Sequence, residues 1–278
     1  YASRGLGDVY KRQTEEYAVG FFDSGWGGLS ILKTARQTLP HENFIYVADC
    51  GFAPYGDRSH DFIVERAQKI ADFLFNQKHV KALVIACNTA TAEAIDTLRK
   101  ERPEAVIIGV EPAIKPAVLS SQNKRIGMIS TTRTARSARY KNLVERFGQN
   151  ASIFSCGCPG LMDCVEAGEF DSESTMGLLQ RYLEPMIHEH IDSLVLGCTH
   201  YPFLLTSIRK IVGPDVQIYE PSLAVSLHLK ECLRKIGRLN TQGTGHERFY
   251  VSKLNEQRKS VACRLWGQPT PFEELGIN

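Results

Sequence analysis

Two short motifs carry the residues of this sequence that are best suited to chemistry. In residues 83–89 and again in residues 194–200, an apolar run ends in a small residue, a cysteine and a polar pair. Cys87 and Cys198 therefore lie where a strand is expected to give way to a helix, and a helix N-terminus favours the reactive thiolate. A single cysteine of this kind is usually an inert part of a core, but two in matching places predict a pair of acid/base groups.

The residues that follow the two cysteines are neutral hydrogen-bonding groups. Asn88 and Thr89 follow the first cysteine, and Thr199 follows the second. Such groups suit a small zwitterionic ligand such as an amino acid. His200 lies two residues beyond Cys198, so we expect its imidazole to take or supply the proton of that thiol.

A glycine-rich turn, residues 23–28 with the sequence Asp-Ser-Gly-Trp-Gly-Gly, follows the first expected strand. Its glycines permit a tight turn, and free N–H groups at the start of the next helix favour a carboxylate. The turn also resembles a dinucleotide fingerprint in which Ser30 takes the third glycine position and Asp49 the ribose-binding position. A nicotinamide site therefore remains an alternative, and Asp23 could equally serve as a helix cap.

Pro54, Tyr55 and Gly56 lie in the loop that follows the apolar run 44–48. The tripeptide is typical of a plain turn. It is also typical of a loop that presents backbone N–H groups and a phenol to a ligand, because binding groups are often carried on loops above a rigid sheet. The residues alone leave both interpretations open.

A third group of cysteines, Cys156, Cys158 and Cys164, does not have the spacing of the common structural zinc sites. We therefore predict no metal site. Glu166 follows this group, and by composition alone it is a surface carboxylate.

Strand-like and helix-like segments alternate along the chain, which predicts an α/β fold with parallel sheets. The apolar, β-branched runs cover residues 17–22, 44–48, 82–86, 106–110, 125–129, 151–154, 193–196 and 216–219, with a weaker run at 249–251. The helical patterns cover residues 29–39, 59–76, 91–102, 137–147, 172–190, 202–212 and 222–236, with a further helix in the tail.

The two cysteine motifs belong to an internal repeat. A strand and loop at residues 19–25 recur at 126–132, and both the loops and the cysteines are offset by similar distances, about 107 and 111 residues. We therefore predict two pseudo-symmetric Rossmann-like domains with a cleft between them. The first comprises residues 17–112 and 222–278, and the second comprises residues 113–221.

Composition sets limits on the partners and the compartment. The chain has 278 residues, 43% apolar and 23% charged, with a net charge of +2, which gives no support to nucleic acid or a membrane as the main partner. No apolar run reaches the length of a membrane span, and residues 1–16 have neither a signal-peptide core nor periodicity. We interpret residues 1–16 as a disordered or non-native extension. The eight cysteines are expected to be reduced in a cytoplasm.

Four motifs together resemble those of the glutamate racemases, within the cofactor-independent Asp/Glu racemase family. They are residues 23–28, 53–56, 86–90 and 197–202, and their order and spacing fit the family over roughly residues 17 to 267. The resemblance implies interconversion of L-glutamate and D-glutamate without a cofactor, for peptidoglycan synthesis. It also favours a homodimer.

The resemblance also implies roles for individual residues. Cys87 and Cys198 would be the catalytic pair, with Asp23 assisting the first thiol and His200 the second, and with Glu166 as a further acidic group. Cys87 would take the proton from the D-isomer and Cys198 from the L-isomer. The residues that match substrate contacts are Ser24, Pro54, Tyr55, Gly56, Asn88, Thr89, Thr131, Thr134 and Thr199.

Three other functions remain open. A racemase for aspartate or another amino acid is the nearest, because the size of the side-chain pocket cannot be read from the motifs. A nicotinamide-linked oxidoreductase and a racemase-like binding protein are the others, and the presence of both cysteines favours catalysis over binding alone.

Overall fold

The computed structural model describes residues 17–277. The interpretation of residues 1–16 as an extension lies outside the described residues. The strands are β1 (Val19–Asp23), β2 (Phe44–Ala48), β3 (Ala82–Ile85), β4 (Ile107–Gly109), β5 (Arg125–Ser130), β6 (Ser152–Gly157), β7 (Ser193–Gly197), β8 (Gln217–Tyr219), β9 (Glu247–Val251) and β10 (Glu273–Glu274).

Eleven α-helices connect these strands within the described part of the chain. They are α1 (Leu29–Thr38), α2 (His60–Asp72), α3 (Asn88–Glu101), α4 (Ile114–Ser120), α5 (Thr132–Arg136), α6 (Ala138–Phe147), α7 (Leu161–Ala167), α8 (Glu173–His188), α9 (Leu205–Val212), α10 (Ser222–Lys235) and α11 (Glu256–Trp266). A π-helical turn, Phe73–Gln77, continues α2, and 3₁₀ turns occur at Tyr55–Asp57 and Tyr201–Leu204.

The strands form two sheets, and every pairing within them is parallel. The first sheet has the order β10-β9-β2-β1-β3-β4, and the second has the order β6-β5-β7-β8. The order β2-β1-β3-β4 in the first sheet therefore matches β6-β5-β7-β8 in the second. This match confirms the predicted α/β fold with two pseudo-symmetric halves, and it makes β3 and β7 equivalent strands.

The tail of the chain returns to the first sheet. Strand β9 pairs with β2 along its whole length, from Phe44 opposite Glu247 to Ala48 opposite Val251. Helix α10 packs against α1. The boundaries of the two domains stay a prediction, although strands β1–β4, β9 and β10 share one sheet and β5–β8 share the other.

The central strands are buried on both faces, as their continuous apolar sequences require. Strands β1, β2, β3 and β7 have no exposed or half-buried residue. The largest apolar cluster covers one face of the first sheet and continues onto one face of the second sheet, a second cluster covers the other face of the first sheet, and a smaller one lies on the other face of the second sheet. Within residues 17–277, no helix is long and apolar enough to cross a membrane.

Candidate active site

The two cysteines lie at the carboxyl ends of equivalent strands. Cys87 follows β3 and Cys198 follows β7, and both are buried, with 5% and 6% of their surface exposed. Ligands of open α/β sheets bind at this edge, where the strand order reverses. Contacts between the loops at the two edges, described below, bring the two motifs into one site.

Cys87 caps helix α3. Its sulfur accepts a hydrogen bond from the Ala90 amide at 3.4 Å, and the Ser24 hydroxyl lies 3.6 Å away. Burial raises the pKa of the Cys87 thiol, and the nearby Asp23 carboxylate raises it further. The expectation that the helix terminus would favour the thiolate is therefore wrong for Cys87, because the loss of solvation outweighs the amide bond and the hydroxyl contact.

Asp23 joins the first half to the second. It is fully buried at the end of β1, and it accepts hydrogen bonds from the Gly28 amide, the Ser24 hydroxyl at 3.1 Å and the Thr199 hydroxyl at 3.0 Å. Burial raises the pKa of the Asp23 carboxyl, with His200 and the hydrogen bonds acting in the opposite direction. Asp23 thus binds the amide of Gly28, the residue that precedes α1, as well as contacting the second motif.

His200 connects the second thiol to a carboxylate. Its Nδ1 lies 3.7 Å from the Cys198 sulfur, and its Nε2 lies 2.7 Å from Oε1 of Glu166. Burial opposes protonation of His200, but the contacts with Cys198 and Glu166 raise its pKa well above that of a free imidazole. The geometry therefore supports an imidazolium that faces the sulfur with one N–H and the carboxylate with the other.

The position of the His200 protons follows from the competing contacts at Nε2. The Gly27 amide also points at this nitrogen, from 3.2 Å. One ring nitrogen cannot donate to Glu166 and accept from Gly27 at once. The bond to Glu166 is shorter and charge-assisted, so we place the proton there.

The glycine-rich turn 23–28 packs closely against residues of the second half. A Cβ atom on Gly25 would lie 2.2 Å from the Glu166 carboxylate, and one on Gly27 would lie 2.3 Å from the His200 ring. The Trp26 amide donates to Glu166 Oε1 at 2.7 Å. A side chain at Gly25 or Gly27 would therefore prevent the turn from lying this close to Glu166 and His200.

A cluster of threonine hydroxyls links the halves on the other side of the site. The hydroxyl of Thr89, the last residue of the first cysteine motif, lies 2.9 Å from that of Thr131 and 3.2 Å from that of Thr134. Thr131 caps helix α5. The structure thus brings both threonines of the second half to the first cysteine motif.

The tripeptide Pro54, Tyr55 and Gly56 forms a turn beside this threonine cluster. The Tyr55 hydroxyl donates to Oδ2 of Asp49 at 2.6 Å, and Tyr55 is only 1% exposed. Its phenol therefore does not face a ligand, contrary to one of the two interpretations from sequence. A Cβ atom on Gly56 would lie 3.3 Å from Thr131, so the turn contacts the second half.

The alternative of a dinucleotide site conflicts with these contacts. Asp49, the expected ribose acceptor, is fully buried and bound by Tyr55 and Arg66. The amides of Trp26 and Gly28, which would face a pyrophosphate, donate to Glu166 and Asp23 instead. The Trp26 and Gly28 amides therefore bind carboxylates of the protein itself, in place of a pyrophosphate.

Asn88 begins helix α3 and is almost entirely buried. Its Nδ2 donates to the Val110 carbonyl at 3.3 Å, whereas its Oδ1 has no partner among the described residues. A buried acceptor without a partner is costly. It is therefore a candidate ligand contact.

The third cysteine group lies behind the second thiol, and Cys158 belongs to the same apolar cluster as Cys198. Cys158 and Cys164 are buried, Cys156 is half-buried, and the Cys158 thiol contacts the Cys156 carbonyl at 3.5 Å. Within residues 17–277, no set of three His, Cys, Asp or Glu side chains is arranged to hold a metal ion.

Three residues that the sequence did not single out for the site support it. The Tyr46 hydroxyl donates to the Gly25 carbonyl at 2.7 Å, and Ser30 donates to the Thr199 carbonyl at 3.0 Å. Arg66 binds Asp49. In the sequence, Ser30 was noted only as a position of the dinucleotide fingerprint, and the one signal for Arg66 is that it shares a helix face with the buried Ile63 and Ile70.

Comparisons with known proteins identify the family to which the chain belongs. Residues 30–229 match the family model described as Asp/Glu/hydantoin racemase. A glutamate racemase of Pseudomonas aeruginosa is 41% identical over 263 residues, which is 95% of this chain and 99% of that protein. The crystal structure of a glutamate racemase from Bacillus anthracis has a TM-score of 0.86 at 30% identity, covering 95% of this chain and 98% of that one.

A glutamate racemase from Francisella tularensis, solved in complex with D-glutamate, has a TM-score of 0.83 at 32% identity and covers 94% of this chain and 98% of that one. The chain therefore belongs to the Asp/Glu/hydantoin racemase family. The similar proteins named here are, within that family, glutamate racemases. The predictions of this family and of an isomerase are confirmed.

Proposed function

We propose that this protein racemises glutamate, with Cys87 and Cys198 exchanging protons on opposite faces of the α-carbon. The observation that carries the proposal is that the two thiols end equivalent strands of two sheets whose edge loops are joined by hydrogen bonds. The identity to glutamate racemases over nearly the whole chain supports the choice of substrate.

Inversion of a stereocentre by proton transfer requires one group on each face. A single base would mostly return the proton to the face from which it came. We infer that Cys198 takes the proton from L-glutamate while Cys87 donates one to the opposite face, and that the roles reverse for D-glutamate. Cys87 is suited to donation, because burial raises its pKa.

The α-proton of an amino acid is weakly acidic, so the site has to stabilise developing negative charge. Hydroxyl and amide donors fixed in a water-excluded site do this without reorganising. Ser24, Asn88 and Thr199 lie beside the two thiols, with Thr89, Thr131 and Thr134 at the joint between the halves. We assign these residues, with Pro54 and the backbone of Tyr55 and Gly56, as substrate contacts.

Asp23 and His200 are placed to assist the two thiols. Asp23 lies beside Ser24, which contacts Cys87, and His200 lies beside Cys198. Glu166 holds His200 in the orientation that faces the sulfur. We further propose that the protein acts in the cytoplasm as a homodimer and that its product supplies D-glutamate for peptidoglycan.

The proposal is tested by circular dichroism with purified protein and a panel of L- and D-amino acids, without added cofactor. We expect the signals of both glutamate enantiomers to decay to zero, and those of aspartate and alanine to persist. Decay of the aspartate signal instead would assign the related aspartate activity. Absence of any decay, together with a substrate-dependent absorbance change on adding a nicotinamide cofactor, would support an oxidoreductase.

Both directions are expected to keep their rate at alkaline pH. Each direction requires one thiol and one thiolate, so turnover in either direction is lost once both cysteines have lost their protons. The raised pKa of Cys87 keeps the last proton in place above about pH 8.5, where an ordinary thiol loses its proton. We therefore expect that kcat, measured from each enantiomer, does not fall between about pH 8 and 9.5. A fall of kcat in both directions through this range would contradict the raised pKa of Cys87.

A further inference from the structure

A buried ion pair lies behind the turn formed by Pro54, Tyr55 and Gly56. Arg66, on helix α2, donates to Asp49 through Nε at 3.0 Å and through Nη2 at 2.9 Å. Arg66 is 3% exposed, and Asp49 is not exposed at all. Two parallel N–H···O bonds of this kind fix the relative orientation of both groups.

The same carboxylate holds the turn. Oδ2 of Asp49 accepts from Arg66 Nε and also from the Tyr55 hydroxyl at 2.6 Å. The Arg66 guanidinium stacks on the Phe52 ring at 3.7 Å from its centre. The guanidinium, the carboxylate and the phenol therefore form one rigid unit, and the phenol cannot rotate without leaving Asp49 with an unused acceptor.

This unit reaches the candidate active site through the turn. Tyr55 belongs to the same apolar cluster as Cys87, and its ring contacts Phe22 edge-on at 6.2 Å. Gly56 packs against Thr131, whose hydroxyl lies 2.9 Å from that of Thr89. A shift of the Tyr55 ring would therefore move the turn against the threonine cluster beside the first thiol.

We propose that Arg66 is a positioning residue that acts through Asp49 and Tyr55 to hold the turn 54–56 in its substrate-binding position, an inference that rests on the proposed function. Arginine is required because a lysine has the charge but lacks the planar fork that contacts both carboxylate oxygens. The effect is expected on substrate binding, since neither Arg66 nor Asp49 contacts the thiols.

The test is steady-state kinetics of Arg66→Lys with both glutamate enantiomers. We expect KM to rise about tenfold for each enantiomer, the effect of about 1.4 kcal/mol in binding, while kcat stays within about threefold of its original value. The matched control is Glu65→Gln on the same helix, which breaks the exposed Glu65–Lys69 pair and is expected to change neither constant. Thermal unfolding of each variant verifies that it is folded.

A second variant covers the case in which Arg66→Lys does not fold. Tyr55→Phe removes only the hydroxyl and leaves the Arg66–Asp49 pair intact, and we expect it to raise KM in the same way. In the double variant the two effects should be less than additive, because both act through one carboxylate. Unchanged KM in folded Tyr55→Phe, additive effects, or a loss confined to kcat would overturn the inference. Failure of the unsubstituted protein to racemise glutamate would instead refute the proposed function.

Discussion

Replacement of either Cys87 or Cys198 by serine is expected to lower kcat for glutamate racemisation by at least about 1000-fold in both directions. Positioned general acid–base groups contribute roughly 100- to 10,000-fold, and a serine hydroxyl is a far weaker acid than a thiol. Each direction needs one thiol to remove the proton and the other to supply one. Loss of either therefore stops both directions.

The measurement is the decay of the circular dichroism signal of each enantiomer at saturating concentration. Serine differs from cysteine by one atom, so the fold is expected to be retained, and thermal unfolding verifies this. Cys232→Ser is the matched control, because Cys232 lies half-buried on helix α10 outside the two strand-end motifs. A variant of Cys87 or Cys198 that keeps more than about a tenth of the original rate would refute the two-thiol mechanism.

The equivalence of these two cysteines could be read from the sequence because it depends on local patterns. Apolar runs of strand length predicted the strands from β1 to β8 within a few residues, and the repeated small-Cys-polar motif predicted their equivalence. The order of the strands within each sheet was not predicted, because right-handed connections fix the handedness of each crossover and not which strands are neighbours. Short helices such as α4, α5 and α7 were not predicted, because five to seven residues are too few to show a helical period.

The pKa values of the site residues could not be predicted from local sequence patterns. A strand end followed by a helix predicted a lowered thiol pKa for Cys87, whereas burial raises it. Burial depends on the packing of both halves, which no local pattern contains. The same holds for Glu166, which by composition alone is a surface carboxylate and in the structure is bonded to His200 and to the Trp26 amide. The residues alone associated His200 with Cys198, whereas Asp23 and Glu166 were assigned to the site only through the family resemblance.

The second large effect is expected from His200→Asn. This change replaces the imidazole that lies 3.7 Å from the Cys198 sulfur by an amide that cannot exchange a proton at neutral pH, and it is expected to lower kcat/KM about 100-fold, within the range of general acid–base groups. The factor has to be equal in both directions, because the two enantiomers have the same free energy in water. A difference between directions therefore cannot appear in kcat/KM.

The isotope effect measured with glutamate carrying deuterium at the α-carbon shows which of the two proton transfers His200 assists. Without the imidazole, Cys198 is a poorer base, so the barrier for proton removal from L-glutamate rises. Removal of this proton then limits the overall rate to a greater extent. We expect the isotope effect on kcat/KM to grow for L-glutamate and to shrink for D-glutamate, whose proton Cys87 removes before the slow step.

Asp23→Asn provides the opposite case, since Asp23 binds Ser24, which contacts Cys87. Its isotope effect is expected to grow for D-glutamate and to shrink for L-glutamate. Because both variants replace a buried polar group by an amide, a general loss of packing would change the two isotope effects in the same way in each variant. Opposite changes of the isotope effects in the two variants would support the assignment of His200 to Cys198 and of Asp23 to Cys87. Parallel changes would reject the assignment of His200 to Cys198.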